Sequence, residues 1–228
     1  MKFEHFTLEN CDSATGLVIV IDVLRAFTTA AYAFAAGVEE IILVGEVEEA
    51  FTLREEFPAS RIMGEVNGLQ VEGFDYGNSP PQFDGEDLSG ICLIQRTTSG
   101  TQGVVRSRNA DKVLTASFCN VGATINFITG QAPDSVSFVN TGVRPGGWGD
   151  EDQACADYIE SKLTGQNHSP DKYLERVRNS TPGIFFLDPK YQEFPQEDLD
   201  CALKINKFDF VMEVTKTMDH LRMVSSAL

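Results

Sequence analysis

Asp22 and Arg25 stand three residues apart at the end of the apolar run Leu17–Ile21, where a helix-compatible stretch, Ala26–Ala36, begins. Ligands of α/β proteins collect beyond the carboxyl ends of strands, where the N–H groups of a helix start are free to meet anions. One short segment thus offers a metal-seeking oxygen, an anion-seeking guanidinium and the positive end of a helix dipole. That combination suits chemistry on a phosphate or a similar anion. A lone Asp at a strand end also serves as a plain helix cap, so Asp22 needs company to count as a site.

Three further segments offer that company. Glu65 sits in Gly64–Gly68, after the strand candidate Arg61–Met63, and Gly73–Pro80 gathers Asp75, Asn78 and Ser79 in a glycine-rich loop. Glycines let backbone approach a ligand closely, although a series of turns with local Asn and Asp bonds explains the same residues equally well. Thr97, Thr98, Ser99, Gly100 and Thr101 lie between a strand candidate and a helix candidate, where hydroxyls and free N–H groups can surround an anion or simply cap the helix. No Gly-Lys-Ser/Thr core is present, so this is not a Walker A loop. Asp150, Glu151 and Asp152 open another helix. Acids in a first turn favour the helix dipole, but three in a row exceed what capping needs, and hard oxygen ligands from several loops are what Mg²⁺ prefers. His5, His168 and His220 fall in no metal-ligand spacing.

The chain has 228 residues, 42% of them hydrophobic and 23% charged, with a net charge of −16. This composition suits a soluble globular protein and argues against a nucleic-acid groove, which needs a basic face. The same charge repels an anionic substrate unless local Arg residues and a divalent cation reverse the field. The apolar runs are shorter than the roughly 20 residues that span a bilayer, and Met1–Phe6 leads into no apolar signal region. Five widely spaced cysteines with no CxxC pair point to reduced thiols. A cytoplasmic protein that engages neither membrane nor nucleic acid is expected; homo-oligomerisation is left open.

The elements that must hold these residues alternate. Short β-branched runs at Val18–Ile21, Ile41–Val44, Ile91–Ile94, Val113–Ala116, Val136–Val139 and Phe208–Val214 suit buried strands. Helix candidates cover Ala26–Ala36, Val47–Phe57, Gly100–Arg108, Val121–Thr129, Glu151–Leu163 and Asp171–Arg178. The pattern predicts an α/β fold, with a central, largely parallel or mixed sheet flanked by helices. One domain over residues 1–228 is expected, with room for two closely joined lobes dividing near residue 110. Gly64–Pro81 and Thr141–Gly149 are expected to be irregular, the latter holding the single Trp, and Thr164–Asp171 to be a surface linker.

Taken in order, Asp22-Val-Leu-Arg25, Gly64-Glu65, Gly73–Pro80, Thr97–Thr101 and Glu151-Asp152-x-x-Cys155-Ala156 resemble the 2-phosphosulfolactate phosphatase family over roughly residues 17–163. The resemblance implies that family's α/β fold and Mg²⁺-dependent removal of phosphate from a sulfonated hydroxy acid, a step towards coenzyme M. It aligns Asp22 and Arg25 with one family motif, and Glu65, Asp75 and Asn78 with the glycine-loop groups. Thr98, Gly100 and Thr101 match the Thr- and Gly-rich turn, and Glu151 and Asp152 the acidic pair. The chain departs from the family pattern at Val66, at Arg96 and after Asn179.

The leading expectation is a Mg²⁺-dependent phosphatase acting on a small phosphorylated 2-hydroxy acid, foremost 2-phosphosulfolactate. Catalytic roles are expected of Asp22, Arg25, Glu65, Glu151 and Asp152, and metal contact of Asp22, Glu65, Asp75, Glu151 and Asp152. Substrate contact is expected of Arg25, Asn78, Thr98, Gly100, Thr101 and Arg144, with Arg96 as another candidate cation. A haloacid-dehalogenase-type site would place a second Asp at position 24, where this chain has Leu24, which favours attack by water over a phospho-enzyme. The alternatives are a non-catalytic anion-binding or scaffold protein that keeps the fold, and a phosphatase for a different phospho-acid.

Overall fold

A computed structural model describes residues 1–144, 148–166, 168–217 and 219–227. Pro145, Gly146 and Gly147 of the expected glycine loop, and Asn167 of the expected linker, lie outside the described residues. The strands are β1 (Lys2–Phe6), β2 (Gly16–Ile21), β3 (Glu40–Val44), β4 (Arg61–Gly64), β5 (Cys92–Arg96), β6 (Ala110–Ala116), β7 (Ser135–Asn140), β8 (Phe210–Lys216) and β9 (Leu221–Ala227). The α-helices are α1 (Ala26–Ala35), α2 (Val47–Glu56), α3 (Gly100–Arg106), α4 (Val121–Gln131), α5 (Asp150–Leu163), α6 (Asp171–Asn179), α7 (Thr181–Phe185) and α8 (Gln196–Ala202). Every expected helix and strand is present within a few residues of its expected bounds. The fold is α/β, as expected.

Among the described residues, all nine strands join one mixed sheet in the order β1-β7-β2-β6-β8-β9-β3-β5-β4. The group β1-β7-β2-β6 is parallel throughout, and so is β3-β5-β4. Between them sits the antiparallel hairpin β8–β9, pairing with β6 on one side and β3 on the other. Three antiparallel ladders in succession reverse the strand direction between the two groups. Twist of about 20–25° per strand pair offsets much of that reversal, roughly 100–125° over the five steps from β2 to β5. The sheet therefore coils, and the carboxyl ends of β2, β4, β5 and β7 meet.

Side-chain alternation along β2 divides the interior. Val18 and Val20 pack with α1, the hairpin residues Met212, Val214 and Met223, and Ile41 and Leu43 of β3. Leu17, Ile19 and Ile21 face the other way, against Leu114, Phe138 and the inner sides of α4, α5 and α6. A third, smaller cluster joins Ile42, Val44, Ile62 and Ile94 to Ala50 of α2. Helix α1 is buried along nearly its whole length, which its sequence AFTTAAYAFA permits because it carries no charge. That helix begins where the strand ends converge.

Candidate active site

Asp22 follows β2 and caps the start of α1: its Oδ1 accepts the N–H of Ala26 at 2.9 Å. Its Oδ2 lies 3.2 Å from the hydroxyl of Thr141, just after β7. That hydroxyl also lies within reach of the Ile21 carbonyl and Asp152 Oδ2, yet it has one hydrogen to give. Asp152, in the first turn of α5, is buried and accepts N–H bonds from Val23 at 2.8 Å and Gly142 at 2.7 Å, tying the segments after β2 and β7 together. Glu151 beside it is also buried, and its Oε2 has no hydrogen-bond partner among the described residues. A Cβ added at Gly142 would stand 2.8 Å from Glu151 Oε1 and 3.0 Å from Asp152 Oδ2, so only glycine lets this backbone approach both carboxylates.

Crowding and burial show in the acidities. Burial, with the charge of Glu65 adding to it, raises the carboxyl of Asp22 to about 6, against the pull of the Ala26 N–H. Burial raises Glu151 to about 7, with Asp22 and Asp150 adding to it. Asp152 is pushed well above the usual carboxylate range by burial, then by Glu151 and Asp22. Asp22 thus raises both Glu151 and Asp152, and Glu151 raises Asp152 further; acids crowded in this way favour either shared protons or a cation among them.

The second half of the site comes from β4 and β5. Glu65, just beyond β4, accepts the Thr98 N–H at 2.6 Å, the Thr98 hydroxyl at 2.9 Å and the Gly68 N–H at 2.5 Å. Its carboxylate thus ties the glycine loop to the turn after β5. Thr98 faces the cleft, whereas Thr101 is buried behind it, bonding reciprocally with Thr97. Gly100 packs its backbone against Asp22, where a Cβ would meet Asp22 Oδ2 at 2.8 Å.

Arg25 is almost fully buried. It donates to Asp198 Oδ2 at 2.6 Å and to the Gly68 carbonyl at 2.9 Å, with its guanidinium 5.4 and 5.2 Å from the Phe186 and Phe194 ring centres. Arg144, exposed, donates to the Ser99 hydroxyl at 2.6 Å. Asn78 is buried, and its Oδ1 has no partner among the described residues.

Asp22, Arg25, Glu65, Asn78, Thr98, Arg144, Glu151 and Asp152 line a single cleft of about 330 Å³. Asp75 does not join them. Its carboxylate pairs with Arg54 at 2.5 Å and accepts the Ile62 N–H, because its loop folds back along β4 rather than over the strand end. Arg96 is likewise spent on the carbonyls of Gly45 and Glu65. Gly100 and Thr101 shape the turn from behind. Pro182, Phe185, Phe186 and Phe194 form the far wall, and Asp198 stands behind Arg25. No local pattern marks them, since their roles arise only from packing.

The donor chemistry suits a hard divalent cation: buried carboxylates, one orphaned carboxylate oxygen and a glycine cradle a side chain would fill. As placed, no three acidic, His or Cys side chains among the described residues stand at ligand spacing. Mg²⁺ retains several waters, so bridging through water fits this arrangement.

A sequence profile for 2-phosphosulpholactate phosphatase matches residues 5–217. The chain belongs to that family. The family relatives include a protein of Bacillus subtilis (strain 168) named "Probable 2-phosphosulfolactate phosphatase", 35% identical over 197 residues that cover 86% of each chain. Proteins of the same name from Clostridium perfringens (strain SM101 / Type A) and Thermosynechococcus vestitus (strain NIES-2133 / IAM M-273 / BP-1) are 32% and 36% identical. The first covers 86% of this chain and 85% of its own; the second covers 67% and 63%. Membership in this phosphatase family spans both parallel groups of the sheet and every acid of the cleft. No helix among the described residues is long and apolar enough to cross a membrane.

Proposed function

We propose that this chain is a Mg²⁺-dependent phosphatase that hydrolyses the phosphate monoester of a small 2-hydroxy acid, with 2-phosphosulfolactate as the leading substrate. The observation that carries the proposal is a pair of buried atoms in one cleft, Glu151 Oε2 and Asn78 Oδ1, that have no hydrogen-bond partner among the described residues. A buried polar atom without a partner costs free energy, and a ligand relieves it. Asp22, Glu151 and Asp152 would hold the metal, directly or through water. Bound there, it would neutralise charge on the phosphoryl oxygens and lower the pKa of water.

The chain's own groups then have distinct tasks. Arg25 and Arg144 hold anionic oxygens, and Asn78 completes the ring; turned by 180°, its amide presents NH₂ to the same place. Glu65 keeps Thr98 at the rim. Asp22 accepts the proton of the attacking water as the new P–O bond forms, and Glu151 returns one to the leaving hydroxy-acid oxygen as the ester bond breaks. Leu24 stands where an aspartyl-phosphate site would want a second acid, so we assign attack to water. The four free buried cysteines, with Cys92 also free, support a reducing cytoplasmic setting.

One observation favours a less polar phospho-acid as a second reading. The far wall of Trp148, Pro182, Phe185, Phe186 and Phe194 is apolar. The test is phosphate release from 2-phosphosulfolactate and from phospholactate, with Mg²⁺ and then with EDTA. Mg²⁺-dependent release that Asp22→Asn abolishes is expected. Release from neither ester would turn the choice to another phosphoester or to a binding protein.

A further inference from the structure

Asp198 lies in α8, beyond Asn179 where the chain departs from the family pattern, and it has no exposed surface. Its Oδ2 accepts from Arg25 at 2.6 Å, and its Oδ1 accepts from the Ser79 hydroxyl at 2.6 Å. Both carboxylate oxygens are therefore engaged. The guanidinium it holds is fixed on a second side by the Gly68 carbonyl at 2.9 Å and is flanked by Phe186 and Phe194. An arginine has five N–H donors, and these contacts use two of them. The same Arg25 lines the cleft beside Asn78 and Glu151. A long side chain carries much rotamer freedom, and a planar fork recognises an oxyanion only when its plane is fixed.

We infer that Asp198, oriented by Ser79, is a positioning residue that sets the plane of Arg25 for an oxyanion in the cleft. The inference rests on the proposed phosphatase activity only for the identity of that oxyanion, a phosphoryl group or the acid group of the same substrate. Asp198 touches Arg25 and not the cleft, so it acts through the arginine. The segment carrying α8 and the two phenylalanines is thereby part of the binding machinery rather than a structural tail.

The test uses the full chain with Mg²⁺ and two readouts: binding of inorganic phosphate by calorimetry, and KM and kcat for 2-phosphosulfolactate. Asp198→Asn is expected to weaken phosphate binding and raise KM by about tenfold or more, with kcat changed far less. Asp198→Glu is expected to recover part of the loss. The deciding comparison is the Arg25→Ala background, where Asp198→Asn should add nothing further if it acts through that arginine. Equal losses with and without Arg25 overturn the inference, and so do unchanged binding and KM in a folded Asp198→Asn protein.

If that variant does not fold, Ser79→Ala keeps the ion pair and carries the test, with an expected loss of about threefold; no change overturns the inference. A parent that binds phosphate but hydrolyses no ester removes the phosphatase reading and leaves the binding arm to decide. A parent that neither binds nor hydrolyses overturns both.

Discussion

Three carboxylates packed into one buried volume oppose folding when no cation sits among them, and the opposition has a definite pH signature. Asp22 rises from an ordinary 3.8 to about 6, and Glu151 from 4.5 to about 7, chiefly through burial. Between those limits the folded chain holds protons that the unfolded chain has released, so stability falls as pH rises. As far as these groups decide, the metal-free protein is expected to be most stable below about pH 4, and to lose that contribution progressively from there as pH rises through 6 and 7. Glu151→Gln removes one buried charge and should raise the melting temperature in EDTA at pH 7.5, by about 1–3 kcal/mol of stability. At pH 4.5 the same substitution should change little. Thermal melts of both proteins at the two pH values check this, and a gain that persists at pH 4.5 would assign the effect to packing instead.

The start of α3 shows how an element, rather than a residue, holds the site. Gly100 brings the helix so close to β2 that a Cβ there would stand 2.5 Å from the Ala26 Cβ and 2.8 Å from Asp22 Oδ2. Gly100→Ala is therefore expected to displace Asp22 or α3, destabilise by about 1–3 kcal/mol and cut kcat at least tenfold. Denaturant melts and turnover measured together would show it, and an unchanged kcat would mean that Asp22 tolerates the shift.

The same contacts explain what could be read from the sequence. Buried parallel strands announce themselves as β-branched runs, and Val18–Ile21 and Val136–Val139 are present as expected. β1 has the sequence KFEHF and lies at the sheet edge with much of it exposed, so no apolar run marks it. β9 ends in polar residues, and its place between β8 and β3 follows from pairing alone. Asp22, Glu151 and Asp152 were legible because strand ends and helix starts bring them to one place. Asp198 was not, because the acid-rich start of α8, QEDLD, reads like any solvated first turn. Asp75 lies apart from the cleft, and nothing in its loop sequence shows that Arg54 would pair with it.

The coiled sheet gathers its acids into one cleft on a molecule that is already acidic, and the two fields act in the same direction. The net charge is −16, and four carboxylates line the cleft against two arginines, one of which already faces Asp198. An anionic ester thus approaches an unfavourable long-range potential, the reverse of the steering that speeds many enzymes. Screening should then help association: the Debye length falls from about 30 Å at 0.01 M salt to about 8 Å at 0.15 M. At fixed saturating Mg²⁺, kcat/KM for a phosphorylated hydroxy acid is expected to rise severalfold over that range, with kcat nearly constant. A short-range contact such as that of Arg25, buried against two aromatic rings, is screened far less than the surface charge. A fall in kcat/KM with salt would mean that the bound cation and the arginines already outweigh the rest of the chain at encounter distance. In that case Arg144→Ala, which removes the exposed cation at the rim, should reverse the sign of the salt dependence.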